Sequence, residues 1–170
     1  MLIRVSEIPK EGIQFEGLDA FPHPFADQSW TLEALSLHVQ KEGDVVLVSG
    51  RLQARVPLTC GRCLEPYQIV VSPEVDARFV PNPQGRIEEH ELGADDLETD
   101  VYDHDTLDLG LLVETETTLG LPMKPLCSEQ CRGLCPICGG NRNATACACE
   151  DTSSDPRWAP LKKLAERLSR

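Results

Sequence analysis

Aromatic residues are scarce in this 170-residue chain, at 5%, although 41% of it is hydrophobic. Aliphatic side chains must fill the core, and the length suits one ordinary domain or one with a small appendage. No apolar run approaches the roughly 18 residues that span a bilayer. The opening Met1-Leu2-Ile3-Arg4-Val5-Ser6-Glu7 has no long apolar stretch and no small-residue cleavage site. Export and membrane insertion are therefore not expected, and a cytoplasmic location is. Basic charge is short too, with 16 Lys and Arg against 28 Asp and Glu, a balance of −12. Whole-chain attraction to nucleic acid is not expected, because phosphate binding relies on positive charge. A basic protein is the easier partner electrostatically. The four histidines (His23, His38, His90, His104) are scattered. No paired-histidine zinc-protease motif, nucleophile elbow, phosphate loop or dinucleotide fingerprint occurs. Neither an enzyme nor a small-molecule substrate is expected.

What the chain does have is cysteine: Cys60, Cys63, Cys127, Cys131, Cys135, Cys138, Cys147 and Cys149. Short paired spacings let thiols converge on one small cation, and zinc takes four thiolates tetrahedrally, so eight suffice for two closed sites. A reducing compartment disfavours the disulfide alternative. Cys135-Pro136-Ile137-Cys138-Gly139 predicts a stiff turn whose amides face the first thiolate, with Gly139 free to take a positive φ. Cys147 and Cys149 complete that site only if the chain bends between them. Cys60, Cys63, Cys127 and Cys131 form the other site if Leu126 to Arg132 makes a helical turn. Neither set leaves an open position, which argues for structural zinc. Iron–sulfur ligation is the minority alternative. The two C-x-x-C runs also admit a thiol oxidoreductase, but Cys63 leads to Pro66 and a strand, and Cys138 to Gly139-Gly140. Redox cysteines want a helix N-terminus instead.

Around the cysteines the pattern is strand-rich. Residues 2–8 predict a short strand, and Gly12 to Ser29 an ordered loop. Leu35, Leu37 and Val39 alternate with polar neighbours as in a half-buried strand. Val45 to Leu58 is a second strand with a bulge expected near Ser49-Gly50. Tyr67 to Val80 returns, so Cys60 and Cys63 fall at the turn of a long hairpin. Residues 81–106 read as an exposed acidic loop, since the stretch from Ile87 through Asp108 holds ten Asp or Glu and no Lys or Arg. Leu107 to Leu121 predicts a helix with Leu109, Leu112, Val113 and Leu119 on its apolar face. Asp155-Pro156 starts a second, with Trp158, Leu161, Leu164, Ala165 and Leu168 at helical spacing.

These pieces resemble a known family. Val48-Ser49-Gly50, Cys60-Gly61-Arg62-Cys63-Leu64-Glu65-Pro66, Leu107-Asp108-Leu109 and Leu121-Pro122-Met123-Lys124-Pro125-Leu126-Cys127 are similar to the YceD-like large ribosomal RNA subunit accumulation family. So are Cys131-Arg132-Gly133-Leu134-Cys135-Pro136-Ile137-Cys138-Gly139, Asn141-Arg142-Asn143, Cys147-Ala148-Cys149 and Asp155-Pro156-Arg157-Trp158. Glu114-Thr115-Glu116 departs from the Arg-Glu-Gln run common there, and Arg142 stands where Leu is common. The resemblance implies a cytoplasmic factor promoting 23S rRNA accumulation or processing. It would bind a large-subunit precursor, a basic ribosomal protein, a nuclease or pre-rRNA. A generic zinc-stabilised interaction module is the remaining alternative. The expected fold is α+β: a mainly antiparallel sheet, open or barrel-like, with a few helices and a C-terminal zinc segment. The expected division is a β-rich domain over 1–121 and a cysteine-rich segment over 122–170 packed on it.

Overall fold

The computed structural model describes residues 1–82, 93, 99–149 and 161. The chain divides into two compact units, Met1–Leu58 with Pro66–Pro125, and Thr59–Glu65 with Leu126–Arg170.

The first unit is built on a sheet. Strand β1 (Leu2–Arg4) ends in a single 3-10 turn, Val5–Glu7, so the predicted first strand is shorter than 2–8. Strand β2 (Ile13–Glu16) lies inside the stretch expected to be a loop, and its Ile13 and Phe15 alternate with exposed Gln14 and Glu16. Strands β3 (Thr31–Glu42) and β4 (Val45–Thr59) form the central antiparallel hairpin. Leu35, Leu37 and Val39 of β3 are buried on one face, as are Val46, Val48, Leu52, Ala54 and Val56 of β4. The expected bulge at Ser49-Gly50 is absent, since both residues pair in regular register with His38 and Leu37. The buried β4 positions are all even-numbered, so no change of phase is needed. The irregularity lies on the partner strand, between Leu32 and Ala34, where burial switches from even to odd positions. Gly50 is required for another reason. A β-carbon there would stand 2.0 Å from the Ser36 carbonyl oxygen.

The strand expected over Tyr67–Val80 is two, β5 (Pro66–Val71) and β6 (Glu74–Pro81), interrupted at Ser72-Pro73. Both pair with β4. Strand β7 (Thr99–Tyr102) corrects the reading of 81–106 as loop throughout, and runs parallel to β6. The rest of the acidic run, 83–92 and 94–98, lies outside the described residues. Strand β8 (Thr106–Asp108) pairs antiparallel with β1. The larger sheet runs β2-β3-β4-β6-β7 with β5 also on β4, an open order rather than a closed barrel among the described residues.

Helix α1 (Leu109–Leu119) follows at once. Asp108 caps it, its Oδ1 accepting from the Gly110 N–H at 2.9 Å and the Leu111 N–H at 3.3 Å. Leu109, Leu112, Val113 and Thr117 are buried, whereas Leu119, expected on the apolar face, is 74% exposed. Leu107 belongs to β8, not the helix. Helix is otherwise sparse among the described residues. The predicted C-terminal helix lies outside them except for Leu161, which is helical and exposed. No helix among the described residues is long and apolar enough to cross a membrane.

Candidate metal centres

All eight cysteines lie in the second unit. At the tip joining β4 to β5, the Cys60 N–H donates to the Glu65 carbonyl at 3.0 Å, and the Leu64 N–H donates to the Cys60 carbonyl at 3.0 Å. Leu64 takes a left-handed φ of 60° while exposing 61% of its surface, so the turn rather than packing sets its conformation. This closes the Cys60–Cys63 knuckle expected at the hairpin tip. The helical turn expected over Leu126–Arg132 is instead a tight turn, with the Cys131 N–H on the Ser128 carbonyl at 3.0 Å. The Ser128 hydroxyl accepts from the Gln130 N–H at 3.3 Å, a side-chain bond that competes with helix.

The Cys135 turn follows its expected geometry. The Gly139 N–H donates to the Cys135 carbonyl at 2.9 Å, and Gly139 has a φ of 71°. The Cys135 N–H donates to the Gly140 carbonyl at 2.8 Å. A turn at Asn141, whose carbonyl accepts from the Ala144 and Thr145 N–H groups, returns the chain toward Cys147 and Cys149. That last stretch is irregular, not a strand, which frees both thiols to face one point.

Two sulfur quartets result: Cys60, Cys63, Cys127 and Cys131, and Cys135, Cys138, Cys147 and Cys149. Within each, all ligand atoms lie within 4.8 Å of one another. The Cys60 and Cys131 sulfurs are 3.8 Å apart, and those of Cys63 and Cys127 3.7 Å. A tetrahedron with metal–sulfur bonds of about 2.3 Å has edges of about 3.8 Å. These two edges of the Cys60 quartet match that figure, and the sulfurs of either quartet are close enough to hold one metal ion. All eight thiols are free.

The electrostatics of each quartet are divided. The backbone N–H groups of Cys127 and Cys63 hold the Cys60 thiol down to about 6, and those of Cys138 and Ile137 do the same for Cys135, also to about 6. Cys127 is pushed up to about 12 by the neighbouring sulfurs of Cys131 and Cys63 and by burial. Cys149 is pushed up to about 12 in the same way, by Cys138 first. Burial pushes Cys131 up, but the Asn143 amide and the Gly133 N–H outweigh it and leave that thiol lowered. Amides thus favour the thiolates of Cys60 and Cys131 in one quartet and of Cys135 in the other, while further negative charge is resisted at Cys127 and Cys149. Four thiolates together require a cation at the centre.

Residues that the cysteine spacing did not single out hold the pieces together. The Arg62 guanidinium donates to the carbonyls of Glu129 at 3.2 Å and Cys131 at 3.0 Å, and the Arg62 carbonyl accepts from the Leu134 N–H at 3.0 Å. The Asn143 amide donates to the Cys131 sulfur at 3.3 Å, while its oxygen accepts from the Arg132 N–H at 2.8 Å. Asn143 lies between Cys138 and Cys147 in sequence yet serves the other quartet. The signal available was Asn141-Arg142-Asn143 itself, two residues prone to bond their own backbone inside the longest gap of the tail.

Residues 48–165 match the model of the family described as large ribosomal RNA subunit accumulation protein YceD. The chain belongs to the YceD family. The matched span takes in both quartets. Similar curated proteins include an uncharacterized protein of Mycobacterium bovis and two of Mycobacterium tuberculosis, from strains CDC 1551 and H37Rv. Each is 33% identical over 148 residues, covering 81% of this chain and 64% of the relative. The chain therefore spans less than two thirds of the length of these relatives. No solved structure matches it.

Proposed function

We propose that the chain is a zinc-stabilised, non-enzymatic factor in large ribosomal subunit biogenesis, working in the cytoplasm by binding a protein or RNA component of the precursor. The ribosomal role rests on membership of the family named for accumulation of the large ribosomal RNA subunit. The role of the metal rests on one observation: two sets of four sulfurs drawn to within 4.8 Å of one another, with two pairs of the Cys60 quartet at the edge length of a tetrahedral thiolate site. Cys60, Cys63, Cys127 and Cys131 would hold one ion, and Cys135, Cys138, Cys147 and Cys149 the other. Four thiolates with no open position suit structural zinc, whereas a multi-iron cluster would hold its thiolates further apart. In this reading the ions order loops that present a binding surface.

The lowered thiols of Cys60 and Cys135 favour a second reading, thiol–disulfide exchange, because a low pKa supplies thiolate. Those two are buried, however, with 0% and 5% exposure, and an attacking thiolate needs access. Thiol titration with metal analysis separates the readings. Two tightly held zinc ions and unreactive cysteines support the structural role; a reversible disulfide supports exchange. For the biological role, depletion should lower mature large-subunit rRNA and raise its precursors. Unchanged rRNA and subunit profiles would overturn it.

A further inference from the structure

The first unit carries a groove of about 430 Å³ between β7 and α1 that the metal centres do not use. Its floor is apolar, with Phe79 and Leu112 buried beneath Val101 and Leu111, which are 55% and 61% exposed. Its rim is acidic. Asp100 and Glu116 line it, and among the described residues neither forms an ion pair and no Lys, Arg or His joins the lining. Burial and the charge of Asp100 push the Glu116 carboxyl above the usual carboxylate range, as expected for acids brought together without a cation.

We infer that this groove is a docking site for a basic, amphipathic protein segment, in which aliphatic side chains cover Val101 and Leu111 while Lys or Arg ammonium or guanidinium groups meet Asp100 and Glu116. Charge complementarity selects this occupant. The rim repels RNA phosphate, and a second copy of a chain with net charge −12 would bring like charge to like. An uncharged apolar partner would leave both carboxylates buried without counter-charge. The inference deepens the proposed function, since it names the chemistry of the partner in the precursor particle.

The test uses the full, zinc-loaded chain and a synthetic Lys/Leu amphipathic peptide, with binding followed by fluorescence anisotropy. The double variant D100K/E116K should weaken binding roughly tenfold or more, and V101S/L111S severalfold. E11K/D19K, which alters net charge equally at exposed positions away from the groove, should weaken it far less. Equal loss in both charge variants would show attraction by net charge alone and overturn the inference. So would no binding, or self-association of the chain that D100K/E116K abolishes. In depleted cells, wild type should restore large-subunit rRNA and D100K/E116K should not, with circular dichroism confirming that the variant is folded. Full rescue by that variant would overturn the groove assignment while leaving the ribosomal role standing. If depletion has no rRNA effect, the proposed function falls and the peptide result alone decides the groove.

Discussion

Asn143 is the residue whose loss should be felt most selectively. Replacing it with alanine removes the donor to the Cys131 sulfur and the acceptor for the Arg132 N–H. Outer partners of metal ligands are typically worth about 10- to 100-fold in metal affinity. N143A should therefore lower zinc affinity by that order at the Cys60 quartet and leave the Cys135 quartet close to wild type, measured by chelator competition. The glycines offer a paired comparison. Gly133 and Gly139 have φ values of 69° and 71°, but a β-carbon at Gly133 would lie 3.0 Å from the Arg62 carbonyl oxygen while one at Gly139 meets nothing within 4 Å. G139A should cost about 1–2 kcal/mol, the left-handed penalty alone. G133A should cost more, seen as earlier thermal loss of zinc. The grouping of the eight cysteines into two quartets was legible in the sequence because thiol spacing is a strong signal; Arg62 and Asn143 were not, because their roles come from turns that juxtapose residues 67 and 12 positions apart.

Among elements, the long strands were readable from alternation, and the short ones were not. In β3 and β4 the period of two runs far enough to outweigh turn signals. In β2 four residues sit amid Gly, Pro and aromatic residues that read as loop, and only pairing with β3 makes them a strand. The same holds for β7, where Thr99–Tyr102 lies inside an acidic run whose composition argues for solvent. Its pairing with β6 brings Asp100 near Glu116 of α1 and so gives that helix a pH signature. The carboxyl of Glu116 is raised in the folded state by burial and by Asp100. The folded chain therefore binds this proton more tightly than the unfolded chain, and stability falls as pH rises from the usual carboxylate range through the raised value. Above that window the cost is complete. E116Q should be more stable than wild type near about pH 7 and indistinguishable from it near about pH 3, in thermal melts of the two proteins.

At the scale of the whole molecule, the two units differ in what fills them. The hydrophobic cluster, from Val5 through Leu37 and Val48 to Val113, lies entirely in the first unit. In the second, the buried side chains among the described residues are those of Cys60, Cys63, Cys131 and Cys135. A unit whose described residues form no aliphatic core calls for another source of folding free energy, and structural zinc supplies about 10–16 kcal/mol in small zinc-binding peptides. Chelation should therefore abolish amide protection over 126–149 while leaving that of β3 and β4 largely intact, read by hydrogen exchange. The central claim is that each quartet holds its own ion, and native mass spectrometry with elemental analysis tests it most directly. Protein made with zinc available and never exposed to chelator should carry two zinc ions per chain, C131S and C138S one each, and the double variant none. A wild-type chain that is folded and metal-free, or that holds its cysteines as disulfides, would contradict the account.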